Sequence, residues 1–386
     1  MHSGLAVDAD FPGGNILLER IDGDDIFLRQ DLRDTPSWFY WAFRVRGAHG
    51  ERLTFHFTGG DVLGVRGPAM SYDAGASWQW LGDDIVSRKD ADDVTFAHAF
   101  SPQQTDVLFA FCPIYTQRNL QQFLTRFQEN PLLQKETLCR SRGGKDVEFL
   151  RVGNSSARFQ LLLTCRHHAC EAMASYFLEG VLESILSEDE TGRWFRANVD
   201  CAVVPFMDKD GVEAGDQGKN RAPHDHNRDY GGEVSDSIYP EVAALRRWTT
   251  AWLRKEKNPV VLDFHCPHIR ANENEDVYFV GVPSPQVWRE VMELSAIWEY
   301  PQSSALPFEK RHNLPFGEKW NTGGNYAAGQ SFTKWASDLP EVRLTAAMEM
   351  PYANAGGAEV NPESCRALGR TLAQALRIYW EEIAAV

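Results

Sequence analysis

The chain has 386 residues, 43% of them hydrophobic and 24% charged, a composition that excludes extended disorder and leaves room for two domains. Its net charge of −15, with no stripe of lysine and arginine interleaved with aromatics, argues against nucleic acid or an anionic membrane as partner. No run approaches the ~18 apolar residues of a membrane-spanning helix, residues 1–14 lack the basic-then-apolar order of a secretory leader, and the seven cysteines, odd in number and unpatterned, read as reduced thiols. A cytoplasmic location is the resulting expectation.

Up to about residue 115 the chain carries short runs of strand character, at 16–21, 38–45, 53–57, 78–80 and 107–111, separated by Gly, Asp and Pro clusters. Close-spaced strands without a long helix predict an all-β antiparallel sandwich over residues 1–115. Leu120, Phe123, Leu124 and Phe127 then fall at helical spacing and mark an amphipathic helix that ends before Pro131. From there apolar runs at 159–164, 203–206, 259–264 and 277–280 alternate with helical patterns at 172–186, 239–253 and 364–384. This order predicts an α/β domain over 116–386, a mixed or parallel sheet flanked by helices. The Gly- and Asn-containing stretch 312–329 reads as loop.

Chemistry-bearing residues concentrate at the ends of these runs. His168 and Glu171 stand three apart where the first apolar run gives way to a helix, so an imidazole and a carboxylate can converge on one ion. His265 ends another apolar run, two residues after Asp263, which places both side chains on one face at a strand's carboxyl end, where open α/β sheets bind ligands. Two His and one Glu, with a further position left for water, make a catalytic rather than a structural zinc set, and no Cys-x-x-Cys pair competes with it. His167 and His268 are the rival imidazoles; spacing to Glu171 favours His168, and strand-end context favours His265. Cys170 and Cys266, beside these segments, read as buried filler.

Two further stretches complete a pattern. Pro205-Phe206-Met207-Asp208-Lys209-Asp210-Gly211-Val212-Glu213-Ala214-Gly215 precedes Asp225-His226-Asn227-Arg228-Asp229-Tyr230, and Met348-Glu349-Met350-Pro351-Tyr352 follows an alternating segment. With the His/Glu and His segments they make the chain resemble zinc metallocarboxypeptidases, most closely the cytosolic carboxypeptidase branch, over about 110–360. The resemblance implies a carboxypeptidase-like fold behind an N-terminal sandwich, one zinc ion per chain, and peptide or protein C-termini as substrates. It implies that Asn227 and Arg228 grip the free α-carboxylate, a role that suits a planar guanidinium beside an amide donor. Asp225 would orient a metal-binding imidazole, that of His168. Glu349 would be the general base, Tyr326 a mobile cap, and Thr333 part of the pocket for the terminal side chain. The chain departs from the family pattern at the arginine that polarises the scissile carbonyl. Arg221, six residues before Asn227, is the expected substitute, while Lys219 lies nearer the usual position.

Two other readings share part of this pattern: a zinc deacylase of the aspartoacylase or succinylglutamate-desuccinylase kind, and a catalytically silent sugar- or peptide-binding protein. The sandwich and the Asp-Gly-Val stretch favour the peptidase over the first, and Glu349 argues against the second, since binding alone needs no base. Lys334 and Arg343 are basic candidates for attracting an acidic terminal side chain.

Overall fold

A computed structural model describes residues 4–90, 93–300 and 304–385. The N-terminal part contains two five-stranded sheets. One runs in the order Ala6–Asp8, Ala42–Arg46, Asp106–Ala110, Ala69–Ser71, Gln79–Trp80, and the other Leu17–Asp22, Asp25–Arg29, Arg52–Phe57, Asp93–Ala99, Val86–Asp90. Alternation along the strands turns one face of each sheet inward. Phe43 and Phe109 of the first meet Phe55 and Phe96 of the second, with ring centroids 5.2 Å apart for Phe43–Phe55 and 5.4 Å for Phe96–Phe109. The pairing is antiparallel as expected except between Asp25–Arg29 and Arg52–Phe57, which run parallel.

The aromatic run predicted as one strand at 38–45 divides. Only Ala42–Arg46 joins the sheet, while Trp38 and Phe39 swing out, with Phe39 packing edge-on against Tyr352 at 5.7 Å. Strands at Ala6–Asp8, Asp25–Arg29, Ala69–Ser71, Val86–Asp90 and Asp93–Ala99 escaped the sequence reading, because several are short or polar enough to pass for turns. The helix expected through Phe127 closes earlier, spanning Gln117–Thr125.

The remaining chain builds a seven-stranded mixed sheet in the order Leu133–Arg140, Asp146–Gly153, Val199–Val204, Phe159–Cys165, Val260–His265, Leu344–Glu349, Tyr278–Val280. The four strands from Val199–Val204 to Leu344–Glu349 are parallel. The edges are closed by the antiparallel 133–153 hairpin and by Tyr278–Val280. The central strands are buried on both faces, which is why they read as continuous apolar runs. Helices Ala172–Leu186, Pro285–Glu299 and Pro362–Ala385 cover one face; Pro240–Trp252 and Phe332–Ser337 cover the other. Glu190–Asn198 and Pro285–Glu299 were not anticipated as helices. One continuous cluster of buried side chains runs from the sandwich interior into the first helical layer, so no gap in packing separates the two parts. Among the described residues no helix is long and apolar enough to cross a membrane.

Candidate metal centre and substrate cleft

Three neighbouring parallel strands end at one place. His168 and Glu171 follow Phe159–Cys165, His265 closes Val260–His265, and Glu349 closes Leu344–Glu349, paired in register with His265. The turn that carries His168 is held by Arg166, which has φ 61 and is buried without a carboxylate partner among the described residues. Its guanidinium donates to Ala169 O, to Tyr115 O at 3.0 Å and to Ser175 Oγ at 3.1 Å, tying the turn to the core.

Glu171 is the hub. Its Oε1 lies 2.7 Å from His168 Nδ1 and its Oε2 lies 2.8 Å from His265 Nδ1, so two imidazoles and a carboxylate face one point, all buried. The far nitrogens face acids: His265 Nε2 is 2.6 Å from Asp263 Oδ2, and His168 Nε2 is 3.7 Å from Asp225 Oδ1. His168 Nε2 and Asp225 Oδ1 are both buried, face each other and have no hydrogen-bond partner among the described residues, and Asp225 Oδ2 accepts from Asn220 N at 2.9 Å. Asp225 is therefore placed to orient His168, as Asp263 orients His265.

The donor atoms of His168, Glu171 and His265 lie within 4.8 Å of one another, and those of His167, Asp263 and His265 form a second such group. The second is already satisfied internally. His167 Nδ1 is 2.8 Å from Asp263 Oδ1 and its Nε2 is 2.8 Å from Tyr230 OH, leaving it no free lone pair to offer. Thr164 Oγ1 also donates to Asp263 Oδ1, at 2.8 Å. His167 and Tyr230 thus brace the carboxylate behind His265. His268 stands apart, edge-on to Trp38 and Phe39.

Glu171, Asp225, Asp263 and Glu349 put four buried carboxyl groups around three buried imidazoles, those of His167, His168 and His265. Burial pushes the Glu171 carboxyl up, but the adjacent His168 and His265 outweigh it and hold it well below the usual range. Asp263 is likewise depressed, against burial, by His167 and His265, and Asp225 by His168. Burial alone would lower the His265 pKa; Asp263 and Glu171 drive it well above the ordinary value. An excess of buried negative charge facing two Nδ1 atoms and a carboxylate suits a divalent cation, and a nitrogen- and oxygen-donor set suits zinc. Glu349 differs: burial raises its carboxyl, and its Oε2 has no hydrogen-bond partner. It is a poised group rather than a spent one.

His168, His265 and Glu349 open into a cleft of about 450 Å³ lined also by Asn227, Arg228, Tyr326 and Thr333, with Lys219 and Trp38. Arg228 donates to Asn227 O and Asn325 Oδ1, both at 2.8 Å, and no carboxylate pairs with it among the described residues. Asn227 Oδ1 accepts from Phe332 N at 3.0 Å, locking the helix that carries Thr333, while its Nδ2 lies 3.4 Å from His265 Nε2. Tyr278 and Val280, in register with Glu349 and Ala347, line the neighbouring wall. Another cavity, of about 400 Å³, lies between the turn at 75–78 and the helices, but an ion pair of 2.7 Å between Arg366 and Glu179 neutralises charge within it.

Arg221 does not line the cleft. Its guanidinium pairs with Asp208 at 3.1 Å, Asp216 at 3.2 Å and Asp34 at 3.3 Å, so the basic residue expected to polarise a carbonyl is engaged elsewhere. Lys219 does line it, with no ion-pair partner among the described residues and its Nζ 5.9 Å from the Trp38 ring. Lys334 and Arg343 are also committed elsewhere, to Asp338 at 2.6 Å and Glu290 at 3.0 Å.

The segment 213–222 is fastened to the sandwich. Asn15 Nδ2 donates to Gly215 O at 2.7 Å, Gln217 Nε2 to Tyr40 O at 2.8 Å, and Tyr40 N to Gln217 Oε1 at 2.8 Å. Gln217 O in turn accepts from Cys170 N at 3.2 Å, inside the metal turn. At Gly218, φ +74, a Cβ would come within 2.1 Å of Ala169 N, so only glycine lets the segment lie this close to the metal turn.

The chain belongs to the zinc carboxypeptidase family, whose model matches residues 120–355. It is 26% identical over 296 residues to cytosolic carboxypeptidase 3 of Mus musculus, covering 68% of this chain and 29% of that protein. It is 27% identical over 307 residues to cytosolic carboxypeptidase 2 of Homo sapiens, covering 69% and 33%. The chain thus spans about a third of the length of these relatives. A metallo-carboxypeptidase from Burkholderia cenocepacia shares the fold at a TM-score of 0.80 and 21% identity, covering 98% of this chain and 100% of that one.

Proposed function

We propose that the protein is a zinc-dependent carboxypeptidase that hydrolyses the last peptide bond of peptide or protein substrates. The observation that carries this reading is Arg228, a guanidinium in the cleft whose hydrogen bonds among the described residues go to neutral oxygens. Its remaining donors suit a substrate α-carboxylate, which it can fork with two parallel hydrogen bonds, and the Asn227 amide adds one more. Tyr326 would close over the terminal residue, and the uncharged Thr333, Val280 and Ala347 would surround its side chain.

His168, Glu171 and His265 would hold one zinc ion, which supplies Lewis acidity toward the scissile carbonyl and an attacking water. Glu349, with a free oxygen and a raised pKa, would take the proton of that water and hand it to the departing amine. Lys219 would meet the negative charge that develops on the carbonyl oxygen, in place of Arg221. A cytoplasmic setting is consistent with seven free cysteines.

The test is a pair of peptides differing only at the C-terminus. Zinc-loaded enzyme should release the terminal residue from the free acid and spare the C-terminal amide. Equal cleavage of both would replace the reading with an amidase or endopeptidase on the same zinc scaffold.

A further inference from the structure

We propose that Trp38, supplied by the N-terminal sandwich, forms the wall of a subsite for the residue immediately upstream of the scissile bond, and that this subsite favours aromatic and large apolar side chains. The inference rests on the carboxypeptidase reading and adds to it a class of substrate.

The cleft has two ends. At one, Arg228 holds Asn325 at 2.8 Å beside Tyr326, and Asn227 links this group to His265 at 3.4 Å. At the other, Trp38 meets His268 edge-on at 5.6 Å and lies under Lys219 Nζ at 5.9 Å. Lys219 follows Gly218, which abuts the His168–Ala169 peptide, and His268 stands three residues beyond His265. The contacts that link the two ends pass the candidate metal residues, from Asn227 to His265 at 3.4 Å, from His265 and His168 to Glu171 at 2.8 and 2.7 Å, and from Ala169 to Gly218; Asp225 also bridges them, accepting from Asn220 N at 2.9 Å and from Arg228 N at 3.0 Å. An extended peptide advances ~3.3 Å per residue. With its carboxylate on Arg228 and its scissile carbonyl beside Glu349, the next residue upstream comes to the Trp38 end.

Trp38 is built for contact there. Unlike the buried Phe39, Tyr40 and Trp41, its indole is partly exposed and lines the cleft. Phe39 backs the ring at 4.8 Å, and Gln30 Nε2 fixes the Trp38 carbonyl at 3.1 Å while also holding Gly59 O at 3.0 Å. With Phe39 behind it and Lys219 and His268 beside it, the ring gains by covering its remaining exposed surface with another apolar group, and a flat side chain meets it with least loss of freedom.

The experiment uses zinc-loaded full-length enzyme and peptides with one fixed terminal residue and Phe, Leu, Gly or Asp before it. Wild type should prefer Phe to Gly by about tenfold in kcat/KM, the effect of one aromatic contact plus its buried area. In Trp38→Ala that ratio should fall to about twofold, and Trp38→Phe should restore most of it. A flat wild-type profile, or an equal loss on all four peptides in Trp38→Ala, overturns the subsite while leaving the carboxypeptidase reading intact. Failure of wild type to cleave any free-acid peptide overturns both.

Discussion

Replacing Arg228 with alanine tests the exopeptidase reading at its source. Among the described residues the side chain has no acidic partner to strand when it is removed, so the loss should fall on substrate rather than on the fold. Truncating one member of a buried charge-assisted pair typically costs about 2–5 kcal/mol. Here the guanidinium is only partly buried and Asn227 keeps one donor, so the lower half of that range applies. About 2–3 kcal/mol corresponds to a loss of roughly 30- to 150-fold in kcat/KM on a free-acid peptide. The amide, already poor in wild type, should change little, and the acid-over-amide preference should nearly vanish. Arg228→Lys keeps the charge but not the fork and should fall between the two. Zinc content and circular dichroism establish that each variant is folded and loaded. A loss below about threefold on the acid, or an equal loss on acid and amide, would refute the assignment.

Purified protein should carry one zinc per chain; His265→Ala should lose it, and Asp263→Asn, which removes the acceptor behind His265, should weaken zinc about 10- to 100-fold in chelator competition. Full occupancy in His265→Ala would remove that residue from the site. Glu349→Gln should keep fold and zinc but lose at least ~100-fold in rate, and near-normal turnover would exclude it as the base. Lys219→Met should lower kcat more than it alters KM, whereas Arg221→Met should chiefly lower the melting temperature, because it removes the guanidinium that pairs with the buried Asp208; the opposite pattern would return the carbonyl to Arg221. Deleting residues 1–115 should yield insoluble protein, and a soluble, active fragment starting at 116 would show the sandwich to be dispensable.

Much of the α/β core was legible because its strands are buried on both faces and its helices are long and periodic. The strand ends could be located, and with them His168, Glu171 and His265, which follow apolar runs, whereas Glu349 follows an alternating segment and its role was implied by the family resemblance. What decides between His167 and His168 was not legible: it depends on Asp263 and Tyr230 engaging both nitrogens of His167 from 96 and 63 residues away. Arg221 misled for the same reason. Its three acidic partners include Asp34, a surface residue of the sandwich with nothing in its surroundings to announce the pairing. Trp38 did leave a signal. A run of Trp, Phe, Tyr and Trp without polar alternation fits no half-buried strand, and the structure resolves it by burying three rings and turning the first toward the cleft.

The sandwich is joined to the chemistry by more than proximity. Gln217 binds the Tyr40 backbone through its side chain and the 168–171 turn through its carbonyl, so one residue relays the position of the sandwich to Cys170, directly before Glu171. Gly218 then presses the same segment onto Ala169, and Lys219 emerges from it into the cleft. On the proposed roles, Glu171 as a metal ligand and Lys219 as the cation at the carbonyl would need to be held to a fraction of an ångström relative to one another, and both depend on backbone that is hydrogen-bonded to the N-terminal part. A lysine is the more demanding choice for this position, because its flexible stem does not preorganise the charge as a guanidinium fork would. Stacking its ammonium near Trp38 restrains that stem. The same indole that would sort substrates by their penultimate residue thereby also steadies the cation that would activate them.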